Sequence, residues 1–473
     1  MGKDKSTLGR REFLKSAAAL GISSLAPAGV AHADEGLRDE FSRTNWAGNI
    51  IFKPERISAP SSWSDLKQVI RENRRVKMVG SRHSFNSIAA PEELWLSLKN
   101  FHVPLQINAQ KNSVELPAGM SLNEANKQLQ GFGLAFASIG EIDAQAIAGL
   151  TATSTHGTGM NWGTLSDTVQ SMKVVTGSGE LIEINGGETL AAARTHLGAL
   201  GAVVSLTMSV TNAHNLERHL RFVALDEAID PAFIRAHDHT EIYYLPFADK
   251  AYVKSMNVTN KSASGLAKKE VTELFKENLL LSMSLTAASL KPSLIPKLMK
   301  IMTGQFKDVT DIGPSAQMMT SIRTMRYHEM ELAMDLDSVK EALAEVKEAI
   351  QDLAQRNAFY AHLPVSIRAV QGRPDNYLSP TQGRDTVYFS FTAHTAFENY
   401  PVYFKEMENR LVKKFGARPH WGKHFYTNPI SRYSTFSQFE AVRKQLDPEG
   451  KFMNPFLEKL LAGKSERSFL YES

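Results

Sequence analysis

Three short stretches of this chain combine backbone freedom with ionisable side chains. The first is Gly80-Ser81-Arg82-His83-Ser84-Phe85-Asn86, directly after the run Val76-Lys77-Met78-Val79. Small residues let a backbone approach a ligand closely, and successive loop amides cradle phosphate oxygens. Arg82 adds positive charge there, and His83 is a potential nucleophile or ligand. The second stretch, Ala148 to Gly159, is built mostly from Gly, Ala, Ser and Thr. Such a segment presses flat backbone and hydroxyls against a large planar ligand and its pyrophosphate. It lacks the GxGxxG spacing after a strand, which disfavours a Rossmann site. The third, Arg418-Pro419-His420-Trp421-Gly422-Lys423-His424-Phe425, gathers two His, a Lys and a Trp around a glycine. Each stretch alone also fits a plainer reading: a loop histidine, a tight Gly/Ser turn, a basic surface turn.

Loops of this kind need strands and helices to hold them. Ser62-Trp63-Ser64-Asp65 has the form of a helix N-terminus, with Leu66, Val69 and Ile70 following on one face. Val76–Val79 reads as a strand running into Gly80. Lys173–Thr176 and Leu181–Ile184 flank Gly177-Ser178-Gly179, a hairpin signal. Strands interleaved with helices from Ile57 to about Val210 predict an α+β or α/β domain. The character changes near Asn212. Residues 266–303 are rich in Leu, Met and Lys at helical spacing, with Pro292 and Pro296 as interruptions, and read as a core or cap helix pair, or as a stretch lying against a membrane surface. Asp337–Asn357 predicts one amphipathic helix with Val339, Leu343, Val346, Ile350 and Leu353 on its buried side. Strand-like runs follow at Val365–Val370 and Thr386–Thr392.

Composition removes several chemistries. The 473 residues contain no cysteine, which excludes disulfides, thiolate metal sites, iron–sulfur clusters and a cysteine nucleophile. No HExxH-like pair or other metal-ligand spacing is present, so no metal is expected. The formal charge is +4, and most of it sits in residues 1–33, where Lys3, Lys5, Arg10, Arg11 and Lys15 face only Asp4 and Glu12. The remainder is close to neutral, which argues against nucleic-acid binding. Arg10-Arg11-Glu12-Phe13-Leu14-Lys15, the weakly apolar run Ser16–Leu25 and then Ala31-His32-Ala33 make a charged region, a short apolar stretch and a cleavage site. The apolar run is too short to span a bilayer, so no stable membrane insertion is expected. Paired arginines followed by Phe-Leu-Lys resemble a twin-arginine export signal. Periplasmic or secreted placement, and the export machinery as a partner, follow from that resemblance.

Taken together, the three loops resemble those of the vanillyl-alcohol-oxidase-type FAD flavoproteins, within them the aldonolactone oxidase and alditol (xylitol) oxidase branch. The likeness takes in Val114–Gly119 with the Leu122–Leu129 helix, Gly80–Asn86, Thr153–Gly159, Leu197–Val204, Pro419–Phe425 and the run Asp447 to Pro455. It implies an α+β fold: a two-lobed FAD-binding domain over residues 45–215, an α+β cap domain over 216–425, and a segment from 430 to 473 packing back on the first domain. It implies FAD, with Gly80, Ser81, Arg82 and Ser84 at the phosphates and ribityl chain and His83 bonded covalently to the flavin. Ser154, Thr155, Gly157, Thr158 and Gly159 would line the cofactor, Val204 would meet its far end, and His420 would lie beside it. Lys423 matches the lysine that reaches substrate, Arg368 an arginine near the flavin, and Thr392 a substrate-contacting threonine.

One position departs from the pattern. The family motif Glu-x-Arg is here Ser366-Ile367-Arg368. Losing that carboxylate removes a charge-assisted acceptor worth roughly 1.5–3 kcal/mol, or about ten- to hundredfold in affinity. The resemblance implies oxidation of a CH–OH group in a polyol, sugar or aldonolactone by hydride transfer to the flavin, with oxygen as acceptor. Lys423, if neutral, or His424 would serve as base. Ser366 leaves room for a larger, acidic or less hydroxylated substrate. Two other readings stand beside this one: a same-fold dehydrogenase passing electrons to a quinone or cytochrome, and a non-catalytic exported ligand-binding protein on a degenerate flavoprotein scaffold.

Overall fold

A computed structural model describes residues 43–265, 291–303, 308–321 and 325–462. The export-like segment, and residues 266–290 of the Leu/Met/Lys-rich stretch, lie outside the described residues. Strands β1 (Arg56–Ser58), β2 (Val76–Met78) and β3 (Leu94–Leu96) form a parallel sheet with β3 in the middle. Next to it stands an antiparallel sheet of β4 (Gln106–Asn108), β5 (Ser113–Pro117), β7 (Val169–Val175), β8 (Leu181–Ile184) and β9 (Ala202–Ser209), in the order β4-β5-β9-β7-β8. Two short strands, β6 (Leu134–Ala135) and β10 (Thr211–Asn212), pair with each other.

Local signals act as their chemistry dictates. Ser62 caps the helix Trp63–Glu72, its hydroxyl accepting the Asp65 amide at 3.2 Å. The hairpin around Gly177-Ser178-Gly179 forms with Val175 opposite Leu181. Its first strand starts earlier than the local pattern predicts, at Val169, because β9 pairs along its other edge. Long-range pairing of that kind leaves no mark in a short window.

The cap is built on one antiparallel sheet of β11 (Asn215–Ala224), β12 (His239–Tyr244), β13 (Lys250–Thr259), β14 (Val309–Pro314), β15 (Tyr327–Asp335), β16 (Val365–Val370), β17 (Thr386–His394) and β18 (Arg418–Pro419). The strands lie in the order β14-β11-β13-β12-β16-β17-β15-β18. Side chains alternate between its faces. Met330, Leu332 and Met334 of β15, Val365 and Ile367 of β16 and Val387, Phe389 and Phe391 of β17 enter an apolar core with the helices Val339–Gln355 and Tyr400–Phe415. The helix expected over Asp337–Asn357 is there, and its five predicted apolar residues are all buried. That core claims one face of the sheet and leaves the other free for chemistry.

The end of the chain returns to the first lobe. The Val76 amide of β2 donates to Lys451 O at 2.9 Å. Lys77 Nζ donates to Phe452 O at 3.1 Å, and Asn454 Nδ2 to Ser87 O and Ala90 O, each at 2.9 Å. Among the described residues no helix is long and apolar enough to cross a membrane.

Candidate active site

A cavity of about 400 Å³ lies between the first-lobe loops and the free face of the cap sheet. That volume is in the range of small-molecule sites. β2 runs out at Met78, and Gly80, Ser81, Arg82, His83 and Ser84 then follow along the wall. Arg82 turns the chain with φ 61°, and its guanidinium lies over the Trp95 ring. The His83 ring stacks on Trp46 with centroids 6.2 Å apart, and its Nδ1 is 3.1 Å from Ser81 O. This loop is fastened to the third one. Phe85 N donates to Gly422 O at 2.8 Å, and Asn86 Nδ2 donates to both Trp421 O and Lys423 O at 2.7 Å.

The second loop divides its labour. Gly149, Thr153, Thr155 and His156 line the cavity; Ser154, Gly157, Thr158 and Gly159, expected at the cofactor, do not. Ser154 Oγ is bonded to Ser379 Oγ at 2.9 Å. A Cβ on Gly157 would sit 2.2 Å from Ile139 O, so this glycine serves backbone packing. The Thr158 carbonyl meets His239 Nδ1 at 2.8 Å, and Gly159 N donates to Ala369 O of β16 at 2.8 Å, tying the loop to the cap. Val204, expected at the cofactor's far end, does not line the cavity. Its carbonyl accepts the Ala118 amide at 3.0 Å, and Gly201 and Val203 form the wall instead.

The opposite wall comes from period-two alternation. Tyr327, Glu329 and Glu331 of β15, Ser390 and Thr392 of β17, and Ser366 and Arg368 of β16 all face the cavity. Lys423 reaches in from the third loop and pairs with Glu329 at 2.6 Å and Glu331 at 2.8 Å. Ser390 Oγ donates to Glu329, and His156 Nε2 lies 3.2 Å from Glu331. His156 itself stacks on Tyr388 at 3.6 Å. Arg368 donates to Glu241 through Nε at 2.6 Å and to Glu141 at 2.7 Å. Position 366 therefore does not lack a carboxylate nearby: Glu241, one strand over, lies 3.5 Å from Ser366 Oγ. Glu241 is committed to Arg368 and to Lys254, 3.1 Å away.

Electrostatics settles which groups carry charge. Burial alone would lower the Lys423 pKa, but Glu329 and Glu331 outweigh it and hold the amine above its usual value. The two carboxylates thus favour Lys423 as a cation over the neutral base expected above. Burial pushes the Glu331 carboxyl upward, and Lys423 and His156 overcome this to hold it well below the usual range. His420, buried in the wall with Lys423 beside it, is depressed to about 3 and stays neutral, its Nδ1 accepting the Gly422 amide at 3.1 Å. His424, the other expected base, does not line the cavity; it turns to His328, with 3.3 Å between their ring nitrogens.

The wall fits an extended cofactor carrying phosphates. A Cβ at Gly149 would meet nothing within 4 Å and would project into open space. Gln145 Oε1 and His196 Nε2 are buried on this wall with no hydrogen-bond partner among the described residues. Lys77, lowered to about 7 by burial, lines the cavity near the first loop. No grouping of His, Asp and Glu able to hold a metal ion occurs among the described residues. Sequence reasoning missed Glu329, Glu331 and His156. For the first two the signal was present: in Tyr327-His328-Glu329-Met330-Glu331-Leu332 the carboxylates alternate with apolar residues.

Residues 206–460 match the D-arabinono-1,4-lactone oxidase family, and residues 54–185 match an FAD binding domain. The chain is 30% identical to L-gulono-1,4-lactone dehydrogenase of Mycobacterium tuberculosis over 429 residues, covering 88% of this chain and 98% of that one. It is 27% identical to L-gulonolactone oxidase of Bos taurus (88% and 97% covered) and 26% identical to alditol oxidase of a Streptomyces species (89% and 99%). The fold also matches cholesterol oxidase from B. sterolicum with a TM-score of 0.74 at 16% identity, covering 88% of this chain and 96% of that structure.

Proposed function

Because the chain belongs to the D-arabinono-1,4-lactone oxidase family of FAD-dependent oxidoreductases, we propose that it oxidises a carbinol of a polyol, sugar or aldonolactone and passes the electrons to oxygen. The carrying observation is Lys423: a half-buried cation held charged by two carboxylates, on the same cavity wall as Thr392 and Ser366. FAD, when bound, supplies the two-electron acceptor: the carbinol C–H leaves as hydride, the O–H as a proton, and oxygen ends as hydrogen peroxide. Thr392 and Ser366 orient the substrate hydroxyls. Glu329, opposite Thr392 in the sheet, takes the hydroxyl proton. Lys423 offsets the negative charge that develops during the transfer, and Arg368, fixed by Glu241 and Glu141, adds a second rigid cation.

His83 is the residue through which FAD would be bonded covalently; its place on the wall beside Trp46 supports this. Export by the twin-arginine route rests on Arg10-Arg11 and the residues after them. One preparation tests these points. Protein from an export-competent bacterial host is precipitated with acid and its absorption recorded. Yellow colour stays with the pellet and moves to the supernatant in His83→Ala. Replacing Arg10 and Arg11 with lysine leaves the yellow protein in the cytoplasm. Anaerobic polyols or sugar lactones bleach the flavin, and an oxygen electrode then records uptake. A folded protein that takes up no FAD would overturn the proposal.

A further inference from the structure

Four ionisable groups stand in line across the cavity wall. Glu329 Oε1 is 2.6 Å from Lys423 Nζ, which is 2.8 Å from Glu331 Oε2, and that same oxygen is 3.2 Å from Nε2 of His156. All four residues line the cavity. The first three belong to β15 and the third loop. His156 alone comes from the second loop, just beyond the helix Ile147–Ala152, so its contact with Glu331 joins the first lobe to the cap.

The partners of His156 fix where its protons are. Nδ1 is 2.9 Å from the carbonyl oxygen of Gly157, and a carbonyl can only accept, so Nδ1 carries hydrogen. Nε2 meets a carboxylate, against which a nitrogen lone pair would be repelled. Burial favours a protonated Glu331, but Lys423 and then His156 outweigh it and keep that carboxyl ionised. Both ring nitrogens therefore bear hydrogen. The remaining neighbours leave this charge in place. The Tyr388 ring of β17 stacks on His156 and offers its face to a cation, while burial and the Glu331 charge push its phenol well above the usual range and keep it neutral. His420, with its ring 6.0 Å away, is neutral as described above. Lys423, the other cation, lies on the far side of the shared oxygen. The line then reads negative, positive, negative, positive. With a neutral His156 it would hold one carboxylate too many, in a wall where Glu331 is 1% exposed.

Resting on the reading of this chain as an FAD-dependent carbinol oxidase, we infer that His156 is held as an imidazolium and is the positioning residue that balances Glu331, so that the charge of Lys423 faces the reacting groups instead of being shared between two carboxylates. No proton passes through His156 in turnover: the hydroxyl proton goes to Glu329, and the imidazolium keeps both of its own. Its effect is electrostatic. Hydride transfer builds negative charge near Lys423, and an unbalanced carboxylate beside it would oppose that charge in a poorly solvated site.

His156→Gln tests this on the FAD-loaded protein, because the amide keeps a donor for Glu331 and carries no charge. The midpoint potential of the flavin is measured by dye equilibration without substrate, from mildly acid to alkaline pH. The rate of flavin reduction by xylitol or L-gulono-1,4-lactone is measured by anaerobic stopped flow. At mildly acid pH the variant should have the lower potential and be reduced about ten- to hundredfold more slowly, the scale of one charge-assisted contact. The two potentials should converge as alkali removes the ring proton from the wild type. His156→Asn, which keeps a donor for Gly157 O, serves if the glutamine variant does not fold. A histidine that merely props the loop would leave the potential alone. Equal potentials at mildly acid pH, or a gap that alkali does not narrow, overturn the inference whatever the rates. If neither compound bleaches the wild-type flavin, the carbinol reading fails by itself, and the potentials still decide on His156.

Discussion

Lys423 illustrates how a single charge is held where water would otherwise be needed. Desolvation works against the ammonium, and two carboxylates within hydrogen-bond reach reverse the balance. Removing the amine does more than delete one contact: it strands Glu331, which is 1% exposed, next to Glu329. Lys423→Met should therefore slow flavin reduction by about 10²- to 10³-fold, the usual scale for losing one oriented electrostatic group. Lys423→Arg should recover part of it, since the charge returns with altered geometry. Anaerobic stopped-flow absorbance measures both. A Lys423→Met enzyme reduced at the wild-type rate would remove the lysine from the chemistry.

The elements matter because they fasten loops from distant parts of the chain to one another. Asn86 donates both of its amide hydrogens across the domain boundary, to Trp421 O and Lys423 O. Asn86→Ala leaves those carbonyls without this donor, at about 1–3 kcal/mol. Its melting temperature should fall, and the KM for substrate should rise more than kcat drops, because Lys423 loses its positioning. Such loops were readable in advance where chemistry is local. The small residues of Gly80–Ser84 and the cation at Lys423 announce themselves by type, and both line the cavity. Glu329 and Glu331 alternate with apolar residues, which places the two carboxylates on one face of β15, but nothing local says which face meets the cavity. That depends on β17 and β18 pairing with it on either side. Gly157 and Gly159 show the converse. Their type was right for a ligand loop, yet close backbone packing and a bridge to β16 use them up.

At the scale of the molecule, burial has neutralised a set of histidines. His196 and His362 are lowered to about 4, His420 and His424 to about 3, each chiefly by desolvation. In the unfolded chain these rings bind protons near pH 6.5. Unfolding therefore takes up protons below that value, so their contribution is complete above about pH 6.5 and is lost as pH falls towards 4. Each such proton corresponds to about 1.4 kcal/mol per pH unit. Urea titrations at stepped pH should show stability dropping between pH 6.5 and 4 with an uptake of more than one proton; a flat profile would contradict the buried, neutral assignment. The bond from Val76 to Lys451 reaches further still. On a ribosome adding about 5–20 residues per second, the partner of β2 arrives roughly 20 to 75 s after β2 itself. Until then the strand that leads into the Gly80–Ser84 loop keeps an open edge, a state that invites chaperones and mispairing. The order of synthesis thus sets the earliest moment at which the cofactor lobe closes, and a nascent chain stalled short of residue 451 would be found with this lobe protease-sensitive.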